Sequence, residues 1–145
     1  MIKYRLEETI QRPVDEVFRY LADPTLHSKW SPVSDVQVVP PGEIRVGTTV
    51  REMMKMGSKM APFSYRVTEY RRGASFSFHG IEGPMTWDGS YAVEPAGPGS
   101  TRVIGLGSVG LKGWQRLLEP FMGGEIRRGE AAELGKLKAL LEEEG

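Results

Sequence analysis

The chain has 145 residues, the length of one folded domain, and a chain that long buries roughly 68–70% of its unfolded surface around a single core. With 19 basic and 19 acidic side chains its formal net charge is zero, so it lacks the basic footprint that phosphate neutralisation requires, which argues against nucleic acid as a partner. The absence of cysteine excludes disulfides, thiol nucleophiles and thiolate metal sites, and no apolar run approaches the roughly 18 residues of a membrane span.

From Ile2 to Ile10 the even positions read Ile, Tyr, Leu, Glu, Ile and the odd ones Lys, Arg, Glu, Thr, the period-two pattern of a half-buried strand. Pro13 then fits a first helical turn, and Asp15 and Glu16 suit the helix dipole. Val14, Val17, Phe18 and Leu21 recur at i, i+3, i+4 and i+7, which predicts a short amphipathic helix stopped by Asp23-Pro24. A second helical turn is expected to run to Trp30, before Ser31-Pro32.

The middle of the chain reads as strands punctuated by turn residues. After Pro40-Pro41-Gly42, residues 48–56 alternate and end at the hairpin signal Gly57-Ser58. The return strand sets Phe63, Tyr65 and Val67 on one face. Arg72-Gly73 leads to a strand with Phe76 and Phe78, Glu82-Gly83-Pro84 to one with Trp87, Tyr91 and Val93, and residues 95–99 turn into a last strand over 101–109. Short strands joined by tight turns without intervening helices predict an antiparallel meander rather than a parallel sheet. One face is rich in aromatic and Met side chains and must be covered by a single long helical segment, so the sheet is expected to bend around it.

The C-terminal segment changes helical phase. Leu111, Trp114, Leu118, Phe121 and Met122 share one face, whereas Ile126, Leu137, Leu140 and Leu141 centre on another, rotated by about 100°. Pro120 and Gly123-Gly124 place a predicted bend or break between the two, and the acidic end, residues 142–144, opposes the dipole and is expected to fray.

Each candidate chemistry has an ordinary alternative. Residues 105–110 spell G-x-G-x-x-G between a strand and a helix, but a dinucleotide site opens a βαβ unit, and here no further strand follows the helix. Small residues that admit the helix and leave volume beneath it are the simpler reading. His27 is expected at the surface in a polar turn, and His79 at a rim. Neither lies near a nucleophile motif, and no second ligand follows at metal-binding spacing, so no metal or other cofactor is expected. Glu8, Glu52 and Glu125 fall on apolar faces, where a carboxyl acquires a raised pKa and the capacity for acid–base work, unless it pairs with a cation or sits where the element leaves the core.

The segments Ile10-Gln11-Arg12-Pro13-Val14-Asp15-Glu16-Val17-Phe18, Leu21-Ala22-Asp23-Pro24 and Trp30-Ser31-Pro32 are followed by Gly47-Thr48 and Tyr65-Arg66-Val67-Thr68-Glu69-Tyr70. Gly89-Ser90-Tyr91, Gly99-Ser100-Thr101-Arg102-Val103 and Leu134-Gly135-Lys136-Leu137-Lys138 come next. Over nearly the whole chain this order resembles the polyketide cyclase/dehydrase-like branch of the START (SRPBCC) superfamily. The resemblance implies an α+β helix-grip fold: a seven-stranded curved antiparallel sheet around a long C-terminal helix, two short helices between strands one and two, and a deep cavity. It names no catalytic residue.

The expected function is binding or transport of a small hydrophobic molecule, a lipid among the candidates. A cyclase or dehydratase using one or two cavity groups, such as Glu52 and Tyr65, is the alternative, and a protein-interaction module a third. The expected ligand-binding residues are Val50, Glu52, Met54, Tyr65, Phe76, Phe78, Trp87, Tyr91, Leu118, Phe121 and Met122. The chain is expected to be a cytoplasmic monomer or weak homodimer, without membrane insertion.

Overall fold

The computed structural model describes residues 1–144. Strand β1 (Ile2–Ile10) buries Ile2, Leu6 and Ile10 and turns every odd-numbered side chain outward. Helix α1 (Val14–Ala22) follows, with Pro13 in extended conformation as its cap, its carbonyl accepting from the N–H groups of Glu16 and Val17. At the other end the Asp23 carboxylate accepts from the backbone and hydroxyl of Thr25, at 3.0 and 2.6 Å, and starts a 3-10 turn, Pro24–Lys29. The Trp30 indole N–H donates to the Tyr20 carbonyl, which holds that turn against α1.

Six further strands complete one sheet: β2 (Val33–Val39), β3 (Thr49–Met56), β4 (Lys59–Arg71), β5 (Ser75–Glu82), β6 (Met85–Gly97) and β7 (Ser100–Leu111). Their order is β1-β7-β6-β5-β4-β3-β2, antiparallel throughout. Register shifts insert extra residues in β2, β4, β5 and β6, which bend the strands and increase twist. Residue pattern alone accounts for six of these strands. Strand β2 escapes it because Val33-Ser34-Asp35-Val36 is interrupted by a bulge at which Asp35 adopts a left-handed φ of 53°.

The G-x-G-x-x-G residues lie in β7, antiparallel to both neighbours. Two of its glycines do not leave the volume empty that the sequence suggests. A Cβ on Gly107 would sit 2.2 Å from the Tyr4 ring, and one on Gly105 would sit 3.0 Å from Tyr91. Phe78 likewise covers Gly89, at 2.5 Å from such a Cβ. Each ring is the cross-strand partner of the glycine it covers. The rings therefore settle onto the sheet where an alanine would hold them off.

Helix α2 (Glu119–Glu144) crosses the concave side and packs chiefly on β1. Leu134, Leu137 and Leu141 enter the core formed by Leu6, Ile10, Val17, Phe18, Trp30 and Val103. Lys138 donates to the Thr9 carbonyl, and Glu142 accepts from the Gln11 N–H and from Lys138, both at 2.9 Å. This clamp corrects the expectation of fraying as far as Glu142.

The predicted bend or break takes the form of a break into two separate elements, just before Pro120. A 3-10 segment, Gly113–Leu118, ends where α2 begins, and Pro120 occupies the first helical turn, where its missing N–H has no partner to lose. Leu111 is buried, and its N–H donates to the Glu119 carboxylate at 3.0 Å. Most of the rest of the first apolar stripe points outward: Trp114 is 73% exposed and Phe121 82%, with Leu118 exposed and Met122 half-buried. No helix of the described residues is long and apolar enough to cross a membrane.

Candidate functional site

Between the sheet and the N-terminal half of α2 lies a cavity of about 280 Å³. Its floor is the concave side of the sheet, where Met54, Phe63, Tyr65, Phe78, Trp87 and Tyr91 line it. Phe63 and Trp87 stack at 5.1 Å between centroids and Tyr65 and Phe78 at 5.3 Å, both tilted, so the floor is a sheet of linked rings. The roof is one stripe of α2: Ile126, Gly129, Glu130 and Glu133. The side wall comes from the turn after α1, through Pro24, His27 and Trp30.

Of the expected ligand-binding residues, Glu52, Met54, Tyr65, Phe78, Trp87 and Tyr91 line this cavity, and five do not. Val50 is fully buried, in register with Val38 and Tyr65, and Phe76 packs 6.0 Å from Phe18 in the closed core. Both share the concave face with the cavity residues but lie outside its lining. Leu118 and Phe121 are exposed and Met122 is half-buried, because their segment belongs to the 3-10 turn and the first turn of α2. Glu8 is held by Lys138 at 3.9 Å, and Glu125 faces solvent.

The polar side of the cavity was largely hidden in the sequence. His27, expected at the surface, lines the cavity wall and bonds through Nδ1 to Oε2 of Glu52 at 3.0 Å, 25 residues further along the chain. Glu52 itself is 5% exposed. Burial works against the imidazolium, but the Glu52 hydrogen bond and charge, with Glu133 and Glu130 beyond, more than offset it, and the His27 pKa is raised. His79, by contrast, pairs with Asp88 in solvent, 2.6 Å away.

Glu130 and Glu133 stand three residues apart and so share one helix face. Burial, then the charge of Glu133, pushes the Glu130 carboxyl up to about 7, with His27 opposing. Glu133 is raised by burial too, against the Ser31 hydroxyl, which donates to it, and the charge of His27. Burial also raises the Tyr4, Tyr65 and Tyr91 hydroxyls, so all three stay protonated. A sequence signal for the two glutamates existed: stepping from Ile126 by helical spacing to Leu137 passes through 130 and 133. Among the described residues no three acid or histidine side chains converge as a metal site.

A seven-stranded antiparallel sheet gripping a C-terminal helix over such a cavity defines the helix-grip class of the SRPBCC superfamily. The family model for polyketide cyclase/dehydrase and lipid transport proteins matches residues 1–142, and the chain belongs to that family. Solved structures share the fold. Protein TTHA0849 from Thermus thermophilus superposes with a TM-score of 0.78 at 21% identity, over 94% of each chain. The di-domain ARO/CYC BexL from the BE-7585A biosynthetic pathway gives 0.81 at 21% identity, over 98% of this chain and 47% of that one. The Zhui aromatase/cyclase from Streptomyces sp. R1128 gives 0.79 at 14% identity, over 97% and 93%. No curated protein matches the sequence.

Proposed function

We propose that the protein binds or carries a small, largely apolar molecule in this cavity, as a cytoplasmic monomer or weak homodimer. The observation that carries the reading is a ring-floored, mainly apolar cavity with a limited set of polar groups placed around it, the usual build of a small-molecule site. Its volume of about 280 Å³ is nearly twice the roughly 150 Å³ that admits benzene in an apolar protein cavity, so a ligand of one or two rings fits. Binding should be modest, since a one- or two-ring ligand has few heavy atoms over which to gather binding energy, each limited to about 1.5 kcal/mol at best.

Gly129 offers a direct test. It lines the cavity, and a Cβ there would meet nothing within 4 Å. Gly129→Trp should fill the opening without disturbing the core and, by removing a helical glycine, should keep α2 formed. An environment-sensitive dye taken up by the native protein should be lost from this variant. Equal uptake by both would place binding elsewhere.

A cyclase- or dehydratase-like activity is the second reading, favoured by the His27–Glu52 pair and by a Glu130 carboxyl poised near neutral pH. In that reading His27, oriented by Glu52, moves a proton at the substrate while Glu130 supplies or accepts another. Unchanged turnover of an identified substrate by Glu52→Gln and Glu130→Gln would remove it.

A further inference from the structure

We infer that the ligand is a cationic amine on an aromatic or apolar body, because the cavity wall sets three carboxylates, Glu52, Glu130 and Glu133, among aromatic faces and carries no lysine or arginine. This rests on the reading of the cavity as a ligand site and names the chemistry of its occupant.

The titratable groups facing the cavity come from five elements and the turn. They are Tyr4 of β1, His27 of the turn, Glu52 of β3, Tyr65 of β4, Tyr91 of β6, and Glu130 and Glu133 of α2. His27 is the one side chain among them able to carry positive charge, and its Nδ1 is committed to Glu52. Glu133 accepts from Ser31, and Lys136 acts on it from outside the lining. Glu130 makes no hydrogen bond or ion pair with any described residue, and neither do the Tyr65 and Tyr91 hydroxyls. The wall is therefore acidic, with an unpartnered carboxylate and two unpartnered phenols directed at the ligand volume.

Three classes of occupant are disfavoured by this arrangement. An anionic ligand would meet like charges in a poorly screened interior. A neutral one can hydrogen-bond to Glu130 but brings no charge to set against its ionised form. A metal ion needs converging ligands, which the described residues do not offer. A diffuse organic cation meets both features of the wall, since carboxylates supply charge and the ring faces of Trp30, Tyr91 and Tyr4 attract a cation within about 6 Å of their centroids.

Binding then has a proton signature. Above the Glu130 pKa the amine pairs with an existing carboxylate; near and below pH 7 it must displace a proton from Glu130, which leaves to solvent as the ammonium binds. A neutral ligand displaces none.

The test uses three probes of one shape: 2-(naphthalen-1-yl)ethylamine, 2-(naphthalen-1-yl)ethanol and naphthalene-1-acetate, titrated calorimetrically at pH 6 and 8 in buffers of different ionisation heat. The amine should bind about tenfold more tightly than the alcohol at pH 8 and the acetate most weakly. The amine's advantage should narrow at pH 6, its binding at pH 7 should release protons, and Glu130→Gln should reduce both advantage and release. Alcohol or acetate binding as tightly as the amine would overturn the charge assignment and leave the cavity reading standing, as would dye uptake with none of the three bound. No uptake of dye or probe by the native protein would overturn both.

Discussion

The two halves of α2 cover the same sheet with opposite results. Beneath Leu134, Leu137 and Leu141 the interior is closed, with Leu137 and Leu141 fully buried against β1 and α1 residues. Beneath Ile126, Gly129, Glu130 and Glu133 it stands open. The helical stripe is continuous, so the difference lies in what it carries. Branched apolar side chains fill the gap at one end, while a glycine and two carboxylates at the other cannot fill it with carbon. The closed half supplies stability, and the open half, which the proposed function makes the ligand site, contributes less to it.

The contrast is broken most severely by Leu137→Ala. Truncating a fully buried leucine leaves a hole in the closed half and should lower stability by about 2–5 kcal/mol in denaturant unfolding. The same measurement on Gly89→Val should show a loss of about 1–3 kcal/mol, because the new side chain must push Phe78 off the sheet. The displaced ring should also shrink the cavity and weaken dye uptake, which Leu137→Ala need not do.

Glu130→Gln sharpens the comparison in the other direction. The folded-state pKa of about 7 lies above the ordinary 4.5, so the folded state binds this proton more tightly than the unfolded chain does. Its stability is therefore greatest at low pH and is lost as pH rises from about 4.5 through about 7. The glutamine variant should be more stable than the native protein by on the order of 1–2 kcal/mol at pH 8, allowing for residual solvent screening, and little changed at pH 4. Thermal unfolding at both pH values reads the difference. The raised His27 pKa acts in the same direction, its stabilisation present at low pH and lost as pH rises through the folded value. Phe121→Ser should have the smallest effect, within about 0.5 kcal/mol, because that ring is already in solvent.

Much of this molecule was legible residue by residue. Alternation in β1, the stripe of α1 and the turn signals between β3 and β7 reflect backbone geometry, which acts on neighbours in the chain and so leaves its period in the sequence. Six of the expected ligand residues could be placed on the cavity face for the same reason. His27 could not, since a histidine in a polar turn looks alike whether the turn meets solvent or Glu52. Nor could the outward orientation of Trp114 and Phe121, which depends on where α2 starts.

Periodicity says which side of its own element a residue occupies; it does not say what that side will meet. The Glu52–His27 bond spans 25 residues and the Ser31–Glu133 bond 102, and both depend on how far α2 and the turn after α1 lie from the sheet. That spacing is set by the packing of Leu134, Leu137 and Leu141 at the closed end together with the rings lying over Gly89, Gly105 and Gly107 on the floor. The fold was thus written in local pattern, whereas the acidic character of the cavity arose only when long-range packing brought those side chains to a common wall.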